Sequence, residues 1–191
     1  RTEDVITANY EITLADNEKK YDGCVLLGDV CDVSQGVVEA SDRVSKRLFA
    51  KYPREEIPVG TGIFVLNEEE LNRVNPSEKE KKYVRKYIDG NDLSRYKIEF
   101  SNHYLIYSNK ECREKIEKGE YSNLKKHLDR MQDYITSSNA PYGIHRPRKE
   151  IYFENPKIIV PSMFAVNNFA LDIYEHYYVG MSFSCVIQKD T

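Results

Sequence analysis

The sequence has no tryptophan, no C-x-x-C pair among its four cysteines and no H-E-x-x-H among its four histidines. The missing spacings exclude zinc ribbons, thioredoxin-type redox motifs and metalloprotease helices, and leave Cys24, Cys31, Cys112 and Cys185 as buried or idle thiols. Apolar runs reach only a few residues, too short for a transmembrane helix, and Arg1-Thr-Glu-Asp4 has no apolar segment of the signal-peptide kind. The expectation is a cytoplasmic protein with no membrane partner. Repeats and low-complexity segments are absent, and so is an excess of one charge. The formal net charge is -3, so any nucleic-acid binding has to come from local patches. The 191 residues, 40% apolar and 31% charged, match a soluble globular domain. A start on Arg1 and a close on the strand-like Cys185–Thr191 lead to the expectation of a piece of a longer polypeptide, with any catalysis elsewhere in it.

Along the chain, residues 1–22 read as a polar lead-in with one edge strand at Tyr10, Ile12 and Leu14, and 23–191 as the domain itself. Strands are expected near 25–33, 61–66, 103–107, 157–160 and 169–187, the last group from the alternation at Phe169, Leu171 and Ile173 and the runs that follow. Asn67-Glu-Glu-Glu70 caps a helix that Pro76 stops. Ser77-Glu-Lys-Glu80 is a second capping box, and Tyr83, Val84, Tyr87 and Ile88 form one apolar face before Gly90, which predicts a helix over 78–89. Leu124, Leu128, Met131 and Ile135 predict another over 122–136. The fold class is α+β, a twisted, mostly antiparallel sheet with covering helices.

The chemistry-bearing residues concentrate in two places. Between Tyr142 and Pro161, the cations Arg146, Arg148, Lys149 and Lys157 stand against Glu150 and Glu154, with Pro147 and Pro156 stiffening the backbone and Lys157-Ile-Ile-Val160 reading as the strand behind them. A second patch, Arg43, Lys46, Arg47 and Lys51, lies on a short amphipathic segment with Val44 and Leu48 inward. Either could equally be a solvated face. Catalytic signatures are incomplete. Asn139-Ala-Pro-Tyr142 lacks the second proline of the Asn-Pro-Pro-Tyr methyltransferase motif, Gly60-Thr-Gly62 precedes a strand where a nucleotide loop follows one, and Glu80-Lys-Lys82 has no upstream Pro-Asp partner for a nuclease ion.

Seven pieces then occur in one order: Leu27-Gly-Asp-Val-Cys-Asp-Val-Ser-Gln-Gly36, Gly60-Thr-Gly-Ile-Phe-Val-Leu66, Tyr87-Ile-Asp-Gly-Asn-Asp-Leu-Ser-Arg-Tyr96, Tyr104-Leu-Ile-Tyr107, Leu124-Lys-Lys-His-Leu128, Pro141-Tyr-Gly-Ile-His-Arg-Pro-Arg148 and Asn155-Pro-Lys-Ile-Ile-Val-Pro161. In this order, from about Leu26 onward, the chain resembles the TaqI-like C-terminal specificity domain, and its front end is similar to the specificity-subunit domains of type I restriction systems. It departs from that family in reading Pro141-Tyr142-Gly143 where Trp-Tyr is usual and Ile88-Asp-Gly-Asn-Asp-Leu93 where Arg-Gly-Arg-Asp-Ile is common.

The resemblance implies a target recognition domain for double-stranded DNA, not itself an enzyme, in a restriction-modification chain. The partner would be a methyltransferase domain of the same parent, which would be a site-specific adenine methyltransferase that also carries an endonuclease in some members. S-adenosylmethionine and magnesium belong to that parent, with no cofactor or metal expected here. Base edges are read best by Arg on guanine and Asn or Gln on adenine, and phosphates are held by Lys. Arg146 and Arg148 are therefore candidates for base or phosphate contact, Lys149 and Lys157 for phosphates, Arg43, Lys46, Arg47 and Lys51 for the opposite groove wall, and Ser162, Asn167 and Asn168 for bases beyond the next turn. Asn167-Asn168 equally suits a hairpin turn. The alternative is an RNA-binding or protein-interaction module built on exposed faces of the fifteen tyrosines.

Overall fold

The structure is a computed structural model and describes residues 25–163 and 167–189. The alternation at Tyr10, Ile12 and Leu14 lies outside the described residues. The strand expected at 25–33 is split: Leu27–Val30 makes one exposed helical turn, α1, and β1 runs Cys31–Gln35. Its ladder to the last strand begins only at Cys31, and before it the Val30 carbonyl accepts a single bond from the Lys189 amide at 2.9 Å. Helix α2 (Lys46–Lys51) starts where the Ser45 hydroxyl accepts from the Leu48 amide at 3.2 Å. Strand β2 (Val65–Asn67) passes directly into α3 (Glu68–Val74). The Asn67–Glu70 capping box opens α3, and Asn75, left-handed at φ 49°, closes it ahead of Pro76.

The helix predicted over 78–89 lasts a single turn, α4 (Glu78–Lys81), and Val84–Ile88 is strand β3. The spacing of Tyr83, Val84, Tyr87 and Ile88 suits a helix, but aromatic and β-branched side chains fit a pleated surface better, and here tertiary pairing decides. Glu80 caps two helix starts, that of α4 and that of a later helix. Its Oε2 accepts from the Ser77 amide at 2.7 Å, and its Oε1 from the Asn123 and Leu124 amides at 2.9 and 3.0 Å. Burial alone would raise the Glu80 pKa, but these hydrogen bonds outweigh it and hold the carboxylate below its ordinary value. Glu80 is therefore a buried cap on a later helix, which accounts for the nuclease-like Glu80-Lys-Lys82.

Strands β4 (Leu93–Ser94) and β5 (Lys97–Ile98) form a two-stranded ribbon before β6 (His103–Ile106). Helices α5 (Lys110–Glu117) and α6 (Ser122–Arg130) follow, and a short 3-10 turn over Gln132–Tyr134 completes the segment predicted at 122–136. One more helical turn, α7 (Ile151–Glu154), precedes β7 (Lys157–Pro161), β8 (Ala170–Asp172), β9 (Tyr178–Val179) and β10 (Phe183–Gln188).

The α+β class holds, with the strands in two four-stranded sheets and the ribbon. The first sheet, ordered β1-β10-β7-β8, is antiparallel throughout. The second, ordered β2-β6-β3-β9, is antiparallel except where β9 runs parallel to β3. The segment expected at 169–187 is thus shared out: β8 and β10 join the first sheet and β9 the second. Aromatic rings join the layers, since Phe153 of α7 stacks on Tyr178 of β9 at 4.4 Å and Tyr178 meets Tyr107 edge-on at 5.0 Å. Among the described residues no helix is long and apolar enough to cross a membrane.

A buried ion pair fixes the turn from β8 to β9. Lys157 Nζ donates to Asp172 Oδ2 at 2.6 Å and to the Phe153 carbonyl at 2.7 Å, with the lysine side chain fully enclosed. Asp172 also accepts from the amides of Glu175, His176 and Tyr177. Truncating one member strands the other charge in a buried site, so Lys157→Met is expected to cost about 3–5 kcal/mol in urea-induced unfolding. A loss below about 1 kcal/mol would contradict this account.

Candidate nucleic-acid interface

The segment Gly36–Val44 is where the two predicted basic patches meet. Gly36 N donates to the Phe183 carbonyl and Val37 N to the Val179 carbonyl, both at 2.9 Å, so the chain leaves the first sheet and touches the second within two residues. A Cβ on Gly36 would lie 2.2 Å from the Gly180 carbonyl oxygen, which only glycine avoids. Val38 and Arg146 then exchange backbone hydrogen bonds at 3.0 Å in both directions, drawing the basic loop onto this segment. The Asp42 carbonyl accepts from the Ile63, Phe64 and Val65 amides, which sets the direction in which α2 departs.

The result is a cleft of about 660 Å³. Arg43, Arg47 and Lys51 line one side, Ser182 and Met181 another, and the buried Glu39 and Tyr87 its floor. Arg47 and Lys51 are exposed, as are Lys46 on the same helix and Arg146 and Lys149 on the adjoining loop. None of these cations, nor Arg43, forms an ion pair among the described residues, whereas Arg54 pairs with Asp133 and Arg85 with Glu150 and Glu154. Lys51 rests over the Tyr52 ring at 4.9 Å.

Arg148 has a different place. Its Nη2 donates to Gln35 Oε1 at 2.9 Å and its Nε to the Gly36 carbonyl at 3.3 Å, while its own carbonyl accepts from the buried Tyr107 hydroxyl at 2.8 Å. These bonds hold it in a left-handed conformation at φ 63°, sparsely populated by non-glycine residues. Gln35 passes the connection on, donating to the Met181 carbonyl at 2.8 Å. Ser162 is tied to the same wall through its amide on the Ser182 carbonyl at 2.7 Å. Asn167 and Asn168 lie outside the cleft lining.

Lys157 is a correction. Expected on phosphates, it is wholly buried against Asp172, and a cation so enclosed cannot reach a nucleic-acid backbone. The methyltransferase-like Asn139-Ala-Pro-Tyr142 is structural as well. Tyr142 is buried, donates to Asp129 Oδ1 at 2.6 Å and accepts from Lys125 Nζ at 2.5 Å, and Asn139 spans the loop by donating to the Ile144 and His145 carbonyls. Gly60-Thr-Gly62 is a turn whose Gly62 amide is held by Glu70 at 2.8 Å. A second concavity of about 330 Å³ lies by α3 and α6, where Glu70 and His127 are already engaged with Gly62 and Ile63. Asp89, Asp92 and His103 approach one another closely enough to hold a cation, but Asp92 already accepts from the Asp89 amide at 2.9 Å, and His103 lies 2.9 Å from the Ser101 hydroxyl.

Residue-level reading missed Glu39, Gln35 and Tyr87. Glu39 is a lone carboxylate within the small and apolar run Gly36-Val-Val-Glu-Ala40, and that pattern was its only signal. Burial pushes its pKa up to about 7, against the opposing pull of its own backbone amide and the Tyr87 hydroxyl. Burial and the Glu39 charge together keep the Tyr87 phenol protonated. Comparison with protein-family models finds no match for the chain, and comparison with curated proteins finds none either.

The raised pKa has a consequence for stability. The unfolded state carries Glu39 near 4.5 and the folded state near 7, so the folded protein holds this proton more tightly. Its contribution is fully present below about 4.5 and is lost as pH rises through about 7. Glu39→Gln is therefore expected to flatten the decline of unfolding free energy across that window, by roughly 3 kcal/mol at most. Parallel wild-type and variant profiles in denaturant titrations would place the carboxyl in a solvated site instead.

Proposed function

We propose that this chain is a sequence-specific recognition module for double-stranded DNA, of the TaqI-like specificity type, acting with a methyltransferase or endonuclease that lies outside it. The observation that carries this reading is the convergence of Arg43, Arg47 and Lys51 with the loop bearing Arg146 and Lys149 on one backbone segment, all without carboxylate partners among the described residues. Cations left free of ion pairs are available to displace counterions from phosphates, the sequence-independent part of DNA binding. The loop cations stand on a backbone that Tyr107, Gln35 and Val38 hold rigidly, which favours base readout over loose electrostatic adhesion. Arg148, with part of its fork engaged by Gln35 and Gly36, positions this loop, and Arg146 takes the base-reading role.

A second reading, a protein-interaction module, draws on the outer face of the first sheet. Val33, Val186, Ile158 and Leu171 fall in register across its four strands, and Val33, Ile158 and Leu171 are exposed. RNA binding by tyrosine stacking has less support. Most tyrosines are buried or half-buried, and among the described residues only Tyr96 and Tyr174 are largely open to solvent.

The two readings separate on salt. After a preferred site has been selected from a randomised duplex library, fluorescence anisotropy should show affinity falling steeply with salt. Arg47→Ala, Lys51→Ala or Lys149→Ala should each reduce the log–log slope by about 0.9 and weaken all duplexes alike. Arg146→Ala should cost about 1–3 kcal/mol chiefly on the selected site. A salt-insensitive affinity, or four variants that bind as wild type does, would move the function to the apolar sheet face.

A further inference from the structure

The concavity between α3 and α6 has a floor whose polar groups are bonded and a rim whose cations are not paired. Glu70, the one carboxylate among its lining residues, accepts from the Gly62 amide at 2.8 Å on one oxygen and from the Asn67 amide at 3.0 Å on the other. His127 Nε2 lies 2.9 Å from the Ile63 carbonyl, and Asn123 donates to the Asn75 carbonyl at 2.7 Å, which ties the start of α6 to the end of α3. These bonds fix both walls of a space of about 330 Å³. Its rim carries Arg73 from α3 and Lys126 and Arg130 from α6, all exposed and none in an ion pair among the described residues.

The three cations keep most of their donors. Lys126 makes no hydrogen bond among the described residues, Arg73 has only a long bond from Nε to the Glu69 carbonyl at 3.4 Å, and Arg130 gives Nη2 to the Glu56 carbonyl at 2.6 Å. Lys126 and Arg130 also stand four positions apart on one helix, where like charges repel. Elsewhere on α5 and α6 that spacing joins opposite charges, Lys110 to Glu114, Lys115 to Glu111 and Lys125 to Asp129. Burial holds the His127 pKa below its ordinary value, and Arg130 and Arg73 push it the same way against the Ile63 carbonyl and Glu70. Three cations from two helices thus share one concave space with a single carboxylate, whose two oxygens are both taken.

We propose that this concavity is a phosphate site, in which Arg73, Lys126 and Arg130 hold one phosphate group, that of a nucleic-acid backbone or of a small phosphate ester. Guanidinium groups match phosphate oxygens in pairs, and the lysine supplies a compact third charge. Gly62 on the wall is paired with Arg43 of the larger cleft, so the site continues the cationic surface on which the DNA reading stands. The inference rests on that reading only for the backbone source of the phosphate.

The test uses the 191-residue chain at pH 7.5 in low salt, with inorganic phosphate as the free probe and a duplex lacking terminal phosphates as the backbone probe. Nuclear magnetic resonance of the His127 imidazole reads the site. Inorganic phosphate should shift it saturably, and sulfate in place of chloride should raise the His127 pKa by roughly one unit, because a nearby anion favours the protonated ring. Lys126→Glu gives α6 an i, i+4 ion pair with Arg130, so it should unfold no earlier than wild type on heating. The same variant should bind phosphate roughly tenfold or more weakly, as loss of one charged hydrogen bond predicts. Arg73→Gln should weaken phosphate binding to a similar degree, and Lys118→Ala, outside the lining, should leave it unchanged.

Saturable phosphate binding that both variants weaken supports the site. The same His127 shift on adding duplex then assigns it to a backbone phosphate, and a shift with free phosphate alone assigns it to a small ester. No shift with phosphate, a shift that grows without saturating, or unchanged affinity in Lys126→Glu and Arg73→Gln overturns the site. That failure in protein that still grips duplex DNA leaves the DNA reading standing, whereas a phosphate site in protein that ignores duplexes removes the DNA reading and keeps the site.

Discussion

The Asp172 carboxylate is the constraint on which the two-sheet frame depends. One oxygen meets Lys157 Nζ and the Tyr177 amide, the other the amides of Glu175 and His176, so a single side chain satisfies the lysine of β7 and the turn that carries the chain from one sheet to the other. An enclosed charge is costly unless every lone pair is used, and here the partners come from β7 and from the β8–β9 turn. Lys157 extends the knot to the Phe153 carbonyl, and the Phe153 ring lies on Tyr178. The first sheet, α7 and the edge of the second sheet are thereby held in one arrangement.

That arrangement explains why a cleft exists. Because β9 and β10 belong to different sheets, the short turn between them leaves a gap at Gly180, and the segment from Gly36 fills it by bonding to the ends of both strands. A backbone so closely flanked admits no side chain at Gly36 and directs Glu39 inward, toward Tyr87. The next residues turn outward under the hold of the Asp42 carbonyl and deliver Arg43 and α2 to the surface. One buried acid and several free cations therefore border the same space because one stretch of backbone serves two sheets.

Much of the local structure was legible because it rests on neighbours in sequence. The Asn67–Glu70 capping box, the helix after Ser122 and the strands near 103–107 and 157–160 follow from caps and periodicity acting over a few residues. The same reasoning failed over 78–89, where the Ser77–Glu80 box is real but Glu80 also caps α6, and the aromatic run beyond it is taken between β6 and β9. Alternation in 170–172 was legible as a strand, but its larger apolar residue, Leu171, faces outward, because Asp172 must face inward to meet Lys157.

The sequence by itself determined the class of fold, the caps and the existence of two cationic patches, since composition, caps and short periodicities are local properties. Tertiary structure alone decided which cations remain free. Lys157 and Arg146 look equivalent in a basic run, yet one finds Asp172 fifteen positions away and is buried, while the other shares only its backbone with Val38 and stays exposed. Glu39 was settled in the same way. Whether a carboxyl is solvated or enclosed depends on which strands arrive above it, and those strands come from β3 and from the β9–β10 turn, far along the chain.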